Sequence, residues 1–168
     1  QDMWWFSGIY RDVELINEPR KAVLDCRVTA VLDTACECGR AAIDLTVKGA
    51  GSGTWSLLDG ELLMAEGDFT SSGDQKEIRI TAEAGTVHPW TAETPYLYRI
   101  RIRFEDHEIT VRTGFRTIEI KDGNFTVNGT AILLNGVNHH DYSPTEGRAV
   151  TYEQMKNDVI LMKQHNIN

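Results

Sequence analysis

The chain has 168 residues, of which 41% are hydrophobic and 25% charged, and its formal net charge is −8. That acidity argues against nucleic acid or an anionic membrane as a partner, because both select basic surfaces. No apolar run approaches the roughly 18 residues a membrane-spanning helix needs.

Gln1-Asp2-Met3-Trp4-Trp5-Phe6 has neither the basic region nor the long apolar core of a signal peptide. Such a density of aromatic residues is expected to pack on something. Gly8 opens a strand-like run, Ile9-Tyr10-Arg11-Asp12-Val13-Glu14-Leu15-Ile16, which Pro19 ends. Val23 to Leu32 predicts a second strand, with Cys26, Val28, Ala30 and Leu32 on one face. The polar stretch Glu37-Cys38-Gly39-Arg40 turns the chain. Ile43, Leu45 and Val47 then alternate with Asp44, Thr46 and Lys48. Gly49, Gly51 and Gly53 predict a flexible loop.

Trp55 to Leu58 and Leu62 to Phe69 predict a hairpin around Asp59-Gly60. Ser71-Ser72-Gly73-Asp74 predicts a turn before a strand with Ile78 and Ile80. A proline-bounded loop, His88-Pro89-Trp90 to Thr94-Pro95-Tyr96, precedes a strong strand. Tyr96, Tyr98, Ile100, Ile102 and Phe104 share one of its faces, and Arg99, Arg101 and Arg103 make the solvated one. Asp106-His107 turns the chain into Ile109, Val111 and Thr113, and Gly114-Phe115-Arg116 breaks the regularity. Asp122-Gly123 joins Ile118–Ile120 to Phe125–Val127, and Asn128-Gly129 leads into Ala131-Ile132-Leu133-Leu134. Short strands with frequent turn signals and no helix imply an antiparallel sandwich over residues 8–115.

The pattern then changes. The apolar run at 131–134 reads as a buried strand. It runs into Gly136-Val137-Asn138-His139-His140-Asp141-Tyr142, the position of a βα loop. Barrels of alternating strands and helices carry their chemistry there. Thr151-Tyr152-Glu153-Gln154 is a capping box. Tyr152, Met155, Val159 and Met162 follow at helical spacing. Ile167-Asn168 suggests the start of a further strand.

Cys26, Cys36 and Cys38 form no disulfide framework, and Cys36-Glu37-Cys38 lacks the second ligand pair a zinc site requires. Asn124 and Asn128 head N-x-Thr sequons that matter only in a secretory pathway. Reduced cysteines without a visible signal give a cytoplasmic expectation.

Four stretches together resemble glycoside hydrolase family 2, and within it the large β-galactosidases. They are Asp2-Met3-Trp4 with Ser7 to Val13, Pro89-Trp90 with Pro95 to Tyr98, Gly114-Phe115-Arg116 with Asn128-Gly129, and Gly136 to His140 running through Gly147-Arg148 to Asp158–Gln164. The resemblance spans nearly the whole chain, and its outer stretches are the most specific. It implies a mainly β fold in three parts. Residues 1–18 would be the tail of a sugar-binding jelly-roll domain. Residues 19–120 would be an immunoglobulin-like β-sandwich. Residues 121–168 would be the truncated start of a (β/α)8 TIM-barrel catalytic domain.

The resemblance also implies roles. His140 would bind substrate and stabilise the transition state through hydroxyl contacts. Asp2 would touch a sodium ion and a sugar hydroxyl, since a carboxylate suits both. His139 stands where the family's galactosidases have Arg, and Asp141 where they have Glu. Both glutamates of the catalytic pair would come from later barrel strands, beyond residue 168. The parent would be a retaining β-galactosidase, a homo-oligomer using magnesium and sodium. A β-glucuronidase or β-mannosidase shares the sandwich and the Gly-Val-Asn-x-His motif. A purely structural spacer is the reading of residues 19–120 taken alone.

Overall fold

Between Ala22 and Thr113, residues with inward apolar side chains alternate with outward polar ones, and this two-residue period forms the strands. The computed structural model describes residues 8–73 and 76–168. They fall into two units, one of residues 18–132 and one joining the described residues up to Asn17 with Leu133–Asn168.

In the first unit, β1 (Ala22–Leu32), β2 (Cys38–Lys48) and β5 (Lys76–Thr86) form an antiparallel sheet in the order β1-β2-β5. A second sheet contains β3 (Ala50–Asp59), β4 (Leu62–Ser72), β6 (Tyr98–Phe104) and β7 (His107–Thr113), in the order β4-β3-β6-β7. The chain therefore changes sheets after β2, β4 and β5, as expected of an immunoglobulin-like sandwich. Ile43 and Leu45 of β2 belong to the same core as Leu57 of β3 and Ile100, Ile102 and Phe104 of β6. Phe69 stacks on Phe104 with ring centroids 5.9 Å apart, and Tyr98 meets Phe115 edge-on at 5.0 Å. Tyr98 is fully buried. Its hydroxyl accepts the His88 N–H at 2.7 Å, which answers the polar end of an otherwise apolar side chain.

A small antiparallel meander closes this unit: β8 (Ile118–Lys121), β9 (Asn124–Val127) and β10 (Thr130–Ala131). Its turns are Asp122-Gly123, with φ +51° and +77°, and Asn128-Gly129, with φ +51° and +75°. Paired positive φ values are the type I′ signature, whose twist suits two-residue hairpins. The second unit contains α1 (Tyr152–Gln164) and the segments around it. The Thr151 hydroxyl accepts the Gln154 N–H at 3.3 Å, and Gln154 Oε1 accepts the Thr151 N–H at 2.7 Å, so the capping box forms as read. The chain is thus mainly β: an immunoglobulin-like antiparallel sandwich followed by the first βα unit of a (β/α)8 barrel.

Four local expectations need correction. Residues 9–16 form no strand among the described residues, and Ile9, Val13 and Leu15 are exposed. Alternation alone makes no strand, because its backbone needs a ladder partner. Gly51 and Gly53 are not loop residues but lie in β3. A Cβ on Gly53 would collide with the Phe69 ring and come 2.6 Å from the Arg103 carbonyl oxygen, so glycine here permits close packing. The β3–β4 hairpin turns at Gly60-Glu61, one residue later than read, because Asp59 pairs with Leu62. Finally, Ile132–Leu134 is not a buried strand. β10 stops at Ala131, and Leu133 and Leu134 are 79% and 62% exposed. An inner barrel strand is buried only between parallel neighbours.

Candidate functional site

The stretch 136–142 is exposed backbone leading toward α1. Asn168 N–H donates to the Asn135 carbonyl at 3.2 Å, and Asn135 N–H donates to Asn168 Oδ1 at 2.8 Å. Asn168 Nδ2 also donates to the Leu133 carbonyl at 3.1 Å. After α1 the chain therefore bonds back to residues 133 and 135 through Asn168.

His139 is held between two carboxylates. Its Nε2 lies 3.5 Å from Asp141 Oδ1 and 3.6 Å from Asp158 Oδ2 on α1. Asp141 Oδ2 also lies 3.6 Å from the Arg11 guanidinium. The Arg148 guanidinium sits 5.0 Å from the centre of the Tyr10 ring, and that of Arg11 sits 5.6 Å from it. These pairs are all at least a third exposed, so each contributes little stability. Their effect is to orient the loop: His139 faces α1, and Asp141 faces the segment before the sandwich. Val137, Asn138 and His139 line an open hollow of about 360 Å³ with Asp158, Leu161 and His165.

His140 is exposed in the same loop. Asp2 lies outside the described residues. Among the described residues no cluster of three His, Cys, Asp or Glu side chains is placed to hold a metal ion. Cys36 and Cys38 belong to the loop after β1. There Asp33 Oδ1 accepts the N–H groups of Glu37 at 2.9 Å and Cys38 at 3.2 Å. These bonds favour the charged carboxylate and lower the Asp33 pKa. Burial, with Asp25 adding to it, pushes the Cys26 thiol up to about 11, so this cysteine is inert packing.

Sequence reading missed Arg11, Asp158 and Arg148 as parts of this loop's surroundings. Asp158 carries a signal: its three- and four-residue spacing from Met155 and Met162 puts it on one helical face with them, and all three are half-buried. Arg11 carried none, since its partner Asp141 is far along the chain.

A sequence model of glycosyl hydrolases family 2 matches residues 20–116, and that of the family's TIM barrel domain matches residues 118–168. The chain belongs to glycosyl hydrolase family 2. It is 36% identical to a β-galactosidase of Alteromonas mediterranea, over all of this chain and 18% of that protein. It is 37% identical to one of Streptococcus thermophilus, over all of this chain and 17% of the other. It is 36% identical to one of Kluyveromyces lactis, over all of this chain and 19% of the other. The chain thus spans less than a fifth of the length of these curated relatives. Among solved structures, the β-glucuronidase of Ruminococcus gnavus superposes with a TM-score of 0.77 at 24% identity, covering 89% of this chain and 25% of that one. That likeness concerns the fold alone. No helix among the described residues is long and apolar enough to cross a membrane.

Proposed function

We propose that this chain is a segment of a retaining β-galactosidase that hydrolyses terminal β-D-galactosyl residues of lactose-type substrates. The observation that carries this reading is relatedness along the whole chain to proteins named β-galactosidase, at 36–37% identity for the three compared above. The residues of the 136–142 loop support it. His140 is exposed beside a pinned His139, and an imidazole there hydrogen-bonds a sugar hydroxyl more strongly as positive charge builds on the ring carbon. Asp2 is proposed as a second sugar contact and as a sodium ligand.

A retaining mechanism needs two carboxylates about 5–5.5 Å apart across the scissile bond. Asp141 and Asp158 both face His139 instead, and Asp141 also faces Arg11. In this reading the acid and the nucleophile come from later barrel strands, and the 168-residue chain alone turns over no nitrophenyl galactoside. The remaining domains of the same protein would then cover the exposed helix. A second reading, in which the parent cleaves β-glucuronides or β-mannosides, rests on the sandwich and the Gly-Val-Asn-x-His motif that those enzymes share.

Initial rates of the full-length protein on nitrophenyl β-galactoside, β-glucuronide and β-mannoside decide between them. The assay is run with and without sodium and magnesium. A dominant galactoside rate is expected, and His140→Ala is expected to lower kcat/KM about a hundredfold. A dominant glucuronide or mannoside rate overturns the substrate and, with it, the Asp2 assignment.

A further inference from the structure

The family boundary and the physical boundary do not coincide. The barrel sequence model begins at residue 118, yet the meander at 118–132 belongs to the sandwich unit. One side chain accounts for much of this attachment. Asn128 Oδ1 accepts the Thr117 N–H at 3.0 Å, and Asn128 Nδ2 donates to the Trp90 carbonyl at 3.0 Å. Its backbone is used as well. The Asn128 N–H donates to the Thr117 carbonyl at 2.8 Å, and the Cys36 thiol donates to the Asn128 carbonyl at 3.8 Å. Thr117 is in turn bonded through its hydroxyl to both the N–H and the carbonyl of Leu32, at 3.3 and 3.4 Å. One asparagine therefore links the end of β1, the Trp90 loop and the meander.

Asparagine is well suited to this place. Its amide offers an acceptor and a donor at opposite corners, and it tolerates the left-handed φ of +51° that the turn requires. Four residues further on, Ile132 N–H donates to the Phe125 carbonyl at 3.0 Å, and there the chain leaves the sandwich unit. The His140 loop begins shortly after.

We infer that Asn128 is a positioning residue. It fastens the meander to the sandwich and so fixes where the chain departs toward the His140 loop. The effect on catalysis rests on the β-galactosidase reading, whereas the fastening does not. Two variants separate the contributions. Asn128→Gly keeps the positive φ and removes both side-chain bonds. Asn128→Asp keeps the acceptor but turns a carboxylate oxygen toward the Trp90 carbonyl.

Amide hydrogen exchange on the 168-residue chain reads the fastening. In both variants, amides of 117–132 are expected to lose about tenfold protection, while those of β2, β3 and β6 keep theirs. Unchanged protection at 117–132 overturns the inference, and so does a loss shared equally by the whole sandwich. In the full-length enzyme, kcat is expected to fall several-fold with KM held within about twofold. An unaltered kcat overturns the positioning role. If the full-length protein cleaves no glycoside, the proposed function falls and the exchange experiment still decides the fastening.

Discussion

Ile100, Ile102 and Phe104 in β6 are as apolar as Val159, Ile160 and Leu161 in α1, yet their surroundings differ completely. The first three are fully buried, and the second three are 62, 44 and 56% exposed. The sandwich finishes its core with its own two sheets, because every strand between Ala22 and Thr113 finds an antiparallel partner in the same stretch. A βα unit cannot do this. Its helix covers one side of a parallel sheet, and that sheet is made by many such units. Similar side chains therefore act as a core in one region and as a surface awaiting partners in the other.

The largest effect should come from breaking the finished core. Phe104→Ala removes a ring stacked on Phe69 and is expected to cost about 3–5 kcal/mol, read from denaturant unfolding followed by tryptophan fluorescence. A loss below about 1 kcal/mol would mean that this core is not packed as described. Next in size is the helix cap. Thr151→Ala removes the capping box and is expected to weaken α1 by about 1 kcal/mol, seen as lost helical circular dichroism with the sandwich transition unmoved.

Acid should act more gently, and on the sandwich unit. The bonds from Glu37 and Cys38 lower the folded-state pKa of Asp33, and the Ser52 N–H, with Lys21 adding to it, lowers that of Glu105. Each carboxylate therefore contributes stability above its unfolded pKa, and that contribution is lost as pH falls through the folded value. Stability is expected to decline below the ordinary carboxylate range, with a shallower decline in Asp33→Asn. Equal acid limbs in the two proteins would refute this. The smallest effect belongs to the unfinished surface. Val159→Ala is expected to change the stability of this chain by less than about 0.5 kcal/mol, since it empties no core. A penalty of Phe104 size would show that the helix already has a partner in solution.

Much of the sandwich was legible because its strands obey a two-residue period and its turns have chemical signatures. Ile43, Leu45 and Val47, which alternate with polar residues, are buried, and the turns expected at Asp122-Gly123 and Asn128-Gly129 have the required positive φ. Gly51 and Gly53 were misread because what excludes a side chain there comes from distant residues, Glu105, Phe69 and the Arg103 backbone. The 136–142 loop was legible as a place of interest from its residue types alone. The partners of His139 and Asp141 were not, since Asp158 and Arg11 reach them only through the fold.

Local sequence by itself determined most strands of the sandwich, both meander turns and the capped helix. Each of these depends on neighbours within a few positions, through side-chain alternation, left-handed φ or a reciprocal cap. Only the tertiary structure decided that β3 extends back through Gly51 and Gly53, and that the alternating run at residues 9–16 forms no strand. It also decided that the meander is held by Asn128 and that His139 is held between two carboxylates. Those outcomes depend on groups brought together from far apart in the chain, and no local pattern encodes the geometry of that meeting.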